Sequence, residues 1–300
     1  MGTVTATRLE QRAMGVTCAV TVIGTDGFGP ARRGLERAAR LEQLWSRFLP
    51  TSDITRLNNS GGRVTFVDPL TVHLIEVMKA AHTETAGSFD PTRIDSLVAL
   101  GDVDSRHGDD RTVIPAGAHS HDLRDIEIVD DFAVRMHNGV LLDAGGIGKG
   151  LAADIISAET MESGAAGVCV NMGGDLRCAG SGPDGGWVVN ISSPTDFSRT
   201  IDTITLESGA VATSAVGARR RADGSVPVHI IDPSTGHGVA GSILGASVIA
   251  SSAAWAEVFA KHAIISAGGA RDITTRGLAC LTVGPGDAAF PNPAWEGFRQ

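Results

Sequence analysis

The chain has 300 residues, which is long enough for one large domain or two modest ones with a substantial core. Hydrophobic residues make up 42% and charged residues 20%, a composition typical of soluble proteins, and the net charge of −9 argues against a nucleic-acid surface, which needs clustered Lys and Arg. No run approaches ~18 apolar residues and the N-terminus shows no apolar signal segment, so we expect a cytoplasmic protein without a membrane anchor.

The first elements are predicted from apolar spacing and from helix-capping residues. Ser52 and Asp68 are typical N-caps, and Pro69 suits the first position of a helix. The arginines around the second element, Arg47 and Arg56, are expected in solvent, with contact to a ligand as the alternative. In chain order, the pattern predicts a strand over 16–23, an amphipathic helix over 30–48, a short helix over about 52–58 and a helix over 68–81.

Two loops follow. The segment 87–93 contains Asp90 before Pro91, which favours an extended backbone and a rigid turn, and this turn could serve structure or a ligand. Residues 101–125 are polar, without apolar period, and indicate a long connection. The histidines in or near it show no metal-ligand spacing: His107, His119, His121 and His137. The cysteines lie in or beside apolar segments without a C-x-x-C pair, which predicts reduced core residues: Cys18, Cys169, Cys178 and Cys280.

A glycine-rich stretch follows the apolar run 140–142. Four glycines fall within residues 145–150, before an apolar helical pattern, and this order predicts strand, tight turn and helix. Free N–H groups at the helix start could bind an anion, and Lys149 adds a cation. A Walker A loop would need Gly at 143 and Ser or Thr at 150, and a Rossmann turn would need Gly at 151. A phosphate-binding turn and a plain turn with a surface lysine both remain open.

The second half mixes strands and helices irregularly, which favours an α+β fold over a doubly wound parallel sheet. No repeat of 20 to 50 residues divides it. The pattern predicts helices over 152–163 and 252–267, glycine-rich or polar turns over 171–175 and 232–236, and strands over 167–170, 187–191, 201–206, 226–231, 245–250 and 278–283.

Six separated motifs now agree on one family. The motifs are Ser46-Arg47-Phe48 with residues 52–58, Phe89-Asp90-Pro91-Thr92, residues 143–150, Asn171-Met172-Gly173-Gly174-Asp175, Val211-Ala212-Thr213-Ser214, and residues 229–236. With these motifs the chain resembles, over residues 14–268, the ApbE-type FAD:protein FMN transferases, and six motifs in order are far more specific than one glycine loop.

The resemblance implies one ApbE-like domain over residues 1–300, with mixed or antiparallel sheets flanked by helices and a polar connection near 101–125. It implies cleavage of FAD and transfer of FMN, through a phosphoester, to a threonine of a target flavoprotein. Mg²⁺ would assist, since phosphoryl transfer depends on positioning and on positive charge at the phosphates. His229 would be catalytic, assisting removal of the threonine proton. The residues implied to contact FAD are Phe89, Asp90, Pro91, Thr92, Asp143, Lys149 and Thr213.

The metal site departs from the family pattern. The resemblance implies Mg²⁺ on the Gly146 carbonyl and on an Asp and a Thr four residues apart in the last helix, where this chain has Glu257 and Lys261. Glu257 can bind magnesium, whereas the Lys261 ammonium has no lone pair to offer. Lys261 could instead meet the FAD pyrophosphate, or the two residues could form an exposed ion pair.

Alternative functions therefore stay open. An altered metal site would suit an FAD-binding protein that has lost transfer, and hydrolysis without an acceptor would make the chain an FAD pyrophosphatase. His229 could also be a core histidine at the end of the strand predicted over 226–231.

Overall fold

The computed structural model describes residues 5–103, 114–115, 117, 119–217 and 229–300. These residues form two compact units. The first contains residues 5–39, 149–217 and 240–300, and the second contains 40–103, 114–115, 117, 119–148 and 229–239. Much of the connection predicted near 101–125, His107 included, lies outside the described residues. The single domain expected over residues 1–300 stays a prediction.

Each strand pair in the described chain is antiparallel. The strands there are β1 (Thr5–Ala13), β2 (Val16–Gly24), β3 (Thr65–Phe66), β4 (Ile126–Asp130), β5 (Ala133–Met136), β6 (Gly167–Met172), β7 (Asp175–Gly180), β8 (Trp187–Ser192), β9 (Thr200–Leu206), β10 (Gly209–Ala215), β11 (Ile231–Asp232), β12 (His237–Gly238), β13 (Gly245–Ala250), β14 (Ala279–Val283) and β15 (Ala289–Pro291). The α-helices within the same residues are α1 (Phe28–Trp45), α2 (Asp53–Asn58), α3 (Pro69–Glu84), α4 (Ile94–Ala99), α5 (Gly148–Glu162), α6 (Ala253–Ile265) and α7 (Gly269–Thr275).

The first unit is built on an eight-stranded sheet in the order β1-β2-β6-β7-β10-β13-β14-β15. A core cluster joins this sheet to the β8–β9 hairpin and includes Trp187, Ile204, Leu281 and Trp295. Helix α6 packs against β10 and β13. Strand β13 is buried along its whole length, as expected for a strand covered on both faces.

Strand β1 is absent from the prediction, and its sequence explains why. Its residues are mostly exposed or half-buried, so it lacks the apolar pattern by which strands are found. It forms a hairpin with β2 through Met14 and Gly15, which both have positive φ angles (52° and 73°), as a two-residue turn requires.

The second unit contains α2, α3, α4 and two small sheets, β3-β5-β4 and β11-β12. Its helix starts confirm the capping predictions. The Ser52 hydroxyl accepts the Thr55 N–H at 3.0 Å, and the Asp68 carboxylate accepts the Leu70 N–H at 3.0 Å, with Pro69 at the first helical position. Caps are local in sequence, which is why they are predictable.

The prediction of a strand over residues 140–142 is wrong. These residues are buried but lie outside any strand. The side chain of Asn58 takes the role of a neighbouring strand: its Oδ1 accepts the Leu142 N–H at 2.8 Å, and its Nδ2 donates to the Leu142 carbonyl at 2.9 Å. Buried backbone groups need partners, and here an amide side chain provides them.

The strand predicted over 226–231 is also largely wrong. Residues 226–228 lie outside the described residues, and His229 and Ile230 are not in a strand. Strand β11 begins at Ile231 and pairs with β12 over two residues only, because the chain turns at once: the Gly236 N–H donates to the Asp232 carbonyl at 2.8 Å. The α+β class with antiparallel sheets is confirmed.

Candidate functional site

In the first unit, helices α5 and α6 cap each other at their N-termini. The Glu257 carboxylate of α6 accepts the Gly150 N–H of α5 at 2.8 Å. The Asp154 carboxylate of α5 accepts the Ala253 and Ala254 N–H groups of α6 at 2.8 and 2.9 Å. Carboxylates are favoured at these positions because the first N–H groups of a helix lack partners and carry partial positive charge.

Gly150 is needed for helix packing. A Cβ atom at this position would lie 2.3 Å from the Ala253 carbonyl oxygen, far inside van der Waals contact. The glycine that suggested a ligand turn thus permits the close approach of two helix ends. Its N–H is already bonded to Glu257 and is therefore not open to an anion.

We expect Gly150→Ala to destabilise the protein by at least the ~1–3 kcal/mol typical of overpacked cores, because the Ala253 backbone cannot move away without breaking its cap. Urea unfolding would measure the change. Gly24→Ala is the matched control, since a Cβ there has no atom within 4 Å. Equal stability of the two variants would show that the helices separate without cost.

Around this contact, two lysines and two carboxylates form a charge cluster: Lys149, Asp175, Glu257 and Lys261. The Lys149 ammonium donates to both Asp175 and Glu257. The Lys261 ammonium lies 3.0 Å from Glu257 Oε1. The chain has only three lysines, and two of them contact the same carboxylate, that of Glu257.

The carboxylates of the charge cluster are buried and the lysines cover them. The side chains of Glu257 and Asp175 are 1% and 5% exposed, against 17% for Lys261 and 23% for Lys149. The Glu257–Lys261 pair is therefore not the exposed ion pair weighed from the sequence, and Lys149 is not a surface lysine. Apart from Glu257, Lys261 and His262, helix α6 is apolar, and Glu257 is buried in it, so an unpaired Glu257 would be costly.

The pKa values reflect this pairing. Burial raises the pKa of the Glu257 carboxyl, but the Lys149 and Lys261 ammoniums outweigh it and lower the pKa to about 2. Burial lowers the pKa of Lys149, but Asp175 and Glu257 outweigh it and raise that pKa. For Lys261, burial prevails and its pKa is lowered. The carboxylate of Glu257 therefore stays ionised.

Thr213 lies on β10 in the same unit, directly opposite Ser247 of β13. The two hydroxyls are 2.8 Å apart and share a hydrogen bond. Thr213 is half-buried, whereas Ser247 is buried. The contact of Thr213 with FAD stays a prediction.

In the second unit, the segment Phe89–Thr92 is a rigid turn. Asp90 accepts the Thr92 N–H at 2.9 Å and the Thr92 hydroxyl at 2.6 Å, and its second oxygen accepts from Arg93 at 2.9 Å. The Pro91 carbonyl accepts the Asp143 N–H at 2.9 Å. Asp90 thus holds the turn in shape, and the turn holds Asp143.

Asp143 belongs to a second charged group that the sequence did not predict. Arg47 is 7% exposed, and its guanidinium lies 3.1 Å from the Asp102 carboxylate and 3.4 Å from that of Asp143. The expectation of a solvated Arg47 is wrong, because its two partners come from distant parts of the chain. Arg56, which pairs with Asp53, is more exposed.

Gly146 lies against the Phe89 ring in this unit. A Cβ at Gly146 would be 2.8 Å from the edge of that ring, so glycine is required for the contact. His229 is half-buried and begins the described segment that leads into β11. Catalytic and structural roles for His229 both remain open.

The structure therefore brings three predicted residues together in the first unit (Lys149, Glu257 and Lys261) and joins Phe89–Thr92 to Asp143 and Gly146 in the second. No role was predicted for Asp154, or for Asp175 beyond its place in one motif, although both contact other elements. Their signal was weak, since a charged residue beside a turn is usually solvated. Within the part of the chain described, no three His, Cys, Asp or Glu side chains are arranged to hold a metal ion, and no helix there is long and apolar enough to cross a membrane.

Comparison with known proteins points to one family. A family model described as "ApbE family" matches residues 14–281. The FAD:protein FMN transferase of Salmonella typhimurium is 26% identical over 268 residues, covering 82% of this chain and 74% of that protein. The protein of the same name from Klebsiella pneumoniae is 27% identical over 266 residues, covering 83% and 75%.

Solved structures agree. The ApbE protein of Thermotoga maritima superimposes with a TM-score of 0.84 at 27% identity, over 99% of this chain and all of that one. The flavin transferase ApbE of Vibrio cholerae gives a TM-score of 0.79 at 20% identity, over 99% and 100%, a likeness that concerns the fold alone.

Proposed function

The chain belongs to the ApbE family, and from this membership we propose that it is an FAD:protein FMN transferase. In this reaction the hydroxyl oxygen of an acceptor threonine attacks the FMN phosphorus of FAD. The phosphoester bond forms as the pyrophosphate P–O bond breaks, and AMP leaves. The threonine proton is lost, and His229 is the proposed group that accepts it.

The observation that carries the proposal is the charge cluster at the start of α5. Lys149 belongs to a family motif, and Glu257 stands where the resemblance implies a metal ligand. The two residues are far apart in sequence and are bonded to each other. Phosphoryl transfer depends mainly on positioning and on positive charge near the phosphates. Lys149 and Lys261 are the positively charged groups of the cluster, and buried carboxylates hold both of them in place.

In the second unit, Phe89, Asp90, Pro91, Thr92 and Asp143 are the proposed flavin contacts. The Asp90 side chain forms hydrogen bonds with Thr92 and Arg93 of the turn. Its proposed role in flavin binding is therefore to hold neighbouring groups in place. Arg47 fixes Asp143 by a buried ion pair, which supports a defined side-chain position.

The magnesium proposal fits the first unit poorly. Both oxygens of Glu257 are engaged, one by the two ammoniums and the other by the Gly150 N–H. A dication would have to sit beside two ammoniums, which Coulomb repulsion opposes. Mg²⁺ on Glu257 and on the Gly146 carbonyl stays a prediction, and no step of the proposed reaction is assigned to it.

An FAD-binding protein without transfer is the second candidate, and Lys261 in place of a metal ligand favours it. An FAD pyrophosphatase, which releases FMN and AMP to water, is the third. The acceptor threonine on a flavoprotein partner and the cytoplasmic location stay predictions.

We expect the purified chain, incubated with FAD and candidate flavoprotein domains, to attach FMN covalently to a threonine. Intact-protein and peptide mass spectrometry would detect it. An acceptor with the threonine changed to valine is the control. FMN and AMP released without a modified acceptor would favour the pyrophosphatase, and bound but intact FAD would favour the binding protein.

We also expect tighter binding of FAD than of NAD, because the motifs match flavin transferases and the Rossmann glycine spacing fails at Leu151. A flavin fluorescence titration and a competition with NAD would measure both affinities. Tight NAD binding with no response to FAD would contradict the proposed function.

A further inference from the structure

The lysines are the more exposed members of the charge cluster. The side chains of Glu257 and Asp175 are 1% and 5% exposed, against 17% for Lys261 and 23% for Lys149. A solute at this surface can therefore contact the lysine side chains but hardly the carboxylates. The net charge of the four groups is zero.

The hydrogen bonds leave donors for a further acceptor. An ammonium has three N–H donors and no acceptor. Lys149 donates to Asp175 and Glu257, and Lys261 donates to the Glu257 side chain and, at 3.5 Å, to its carbonyl oxygen. Among the contacts of the described residues, each lysine thus keeps a donor for an anion.

The same arrangement disfavours a divalent cation. A metal ligand must offer a lone pair, and hard cations such as Mg²⁺ need oxygen atoms around them. Here Glu257 Oε1 accepts from both ammoniums, Glu257 Oε2 accepts from the Gly150 N–H, and Asp175 Oδ2 accepts from Lys149. Removing a lysine from a buried carboxylate would leave charges unpaired, which is costly.

We propose that the ammoniums of Lys149 and Lys261 bind the pyrophosphate of FAD directly, with Lys261 supplying the positive charge at a position where the family resemblance implies a metal ligand, so that FAD binding needs no Mg²⁺. The inference rests on the proposed function, because it concerns how the same substrate is held. Lys261 acts here as a binding residue.

The test begins with the unaltered full chain. FAD is titrated by flavin fluorescence with EDTA and, separately, with Mg²⁺. We expect the same dissociation constant for FAD in EDTA and in Mg²⁺. Inorganic pyrophosphate, added in EDTA, should displace FAD, since the recognised group is the diphosphate. If Mg²⁺ raised the affinity for FAD by about 100-fold or more, which is the effect expected from the loss of a charged contact, the inference would be overturned.

Variants then isolate Lys261. Lys261→Met keeps the apolar stem and should weaken FAD binding about 10–100-fold, the scale of one charge-assisted hydrogen bond to phosphate. Lys261→Arg should retain most of the affinity, and Lys261→Thr should bind FAD more tightly with Mg²⁺ than with EDTA. Arg32→Met is the matched control, because Arg32 forms an i,i+4 ion pair with Glu36 that is solvent-exposed, and it should change nothing.

Circular dichroism and thermal unfolding would establish that each variant is folded. Unchanged FAD binding by a folded Lys261→Met protein in EDTA would overturn the inference. FAD binding by the unaltered chain only with Mg²⁺ would also overturn it, while leaving the proposed function standing. Absence of FAD binding under both conditions would instead remove the proposed function itself.

Discussion

Glu257→Ala should lower the free energy of unfolding by about 3–5 kcal/mol, the cost of breaking a buried ion pair by removing one partner. The change removes the carboxylate shared by Lys149 and Lys261 and leaves the Gly150 N–H without its acceptor. Urea unfolding followed by circular dichroism would measure it.

Glu36→Ala is the matched control for that variant. Glu36 also forms an i,i+4 pair on a helix, but both partners are 57% exposed, so its loss should cost only about 0–1 kcal/mol. If the two variants were equally stable, the buried cluster would contribute no more than a surface pair.

The pH dependence of stability tests the pairing of Glu257 in a second way. Folding lowers the pKa of Glu257 from 4.5 to about 2, so its stabilising effect is present above pH 4.5 and is lost as the pH falls through about 2. The stability difference between the unaltered chain and Glu257→Ala should therefore shrink over that range. A difference that stays constant down to pH 2 would contradict the pairing.

His229→Ala should reduce FMN transfer about 10²–10⁴-fold, the usual contribution of a general base. FAD affinity should change little, because the proposed role is proton removal from the acceptor and not flavin binding. The measurement is the initial rate of covalent FMN attachment, together with a fluorescence titration of FAD.

His237→Ala is the matched control for His229→Ala, since His237 lies eight positions along the chain in the same unit and is exposed. It should leave both quantities unchanged. If His229→Ala lost transfer, FAD binding and thermal stability together, His229 would be a structural residue and the catalytic assignment would fail.

Features that depend on neighbours in the chain were predictable. Ser52 and Asp68 cap their helices as expected, strand β13 has the predicted bounds, and α6 begins after Ser252. Each of these follows from residues within a few positions of one another, so the sequence contains all the information needed. Ordered motifs also identified the family, because six short patterns in one order rarely coincide.

Partners far apart along the chain were not predictable. The buried run 140–142 formed no strand because the Asn58 amide satisfies Leu142, and Arg47 left solvent because Asp102 and Asp143 surround it. The energy of a buried polar group depends on which group lies opposite. One sequence, read alone, does not contain that pairing.

The charge cluster shows most clearly which features the sequence determines and which the tertiary structure determines. The spacing of Glu257 and Lys261 placed them on one face of a helix, and that much is confirmed by their 3.0 Å ion pair. Whether the face lay in solvent or in the core was decided by the packing of α6 on β10 and β13 and by the approach of α5 at Gly150. Periodicity sets which residues share a face, whereas only tertiary contacts set what covers it and hence how strongly its charges interact.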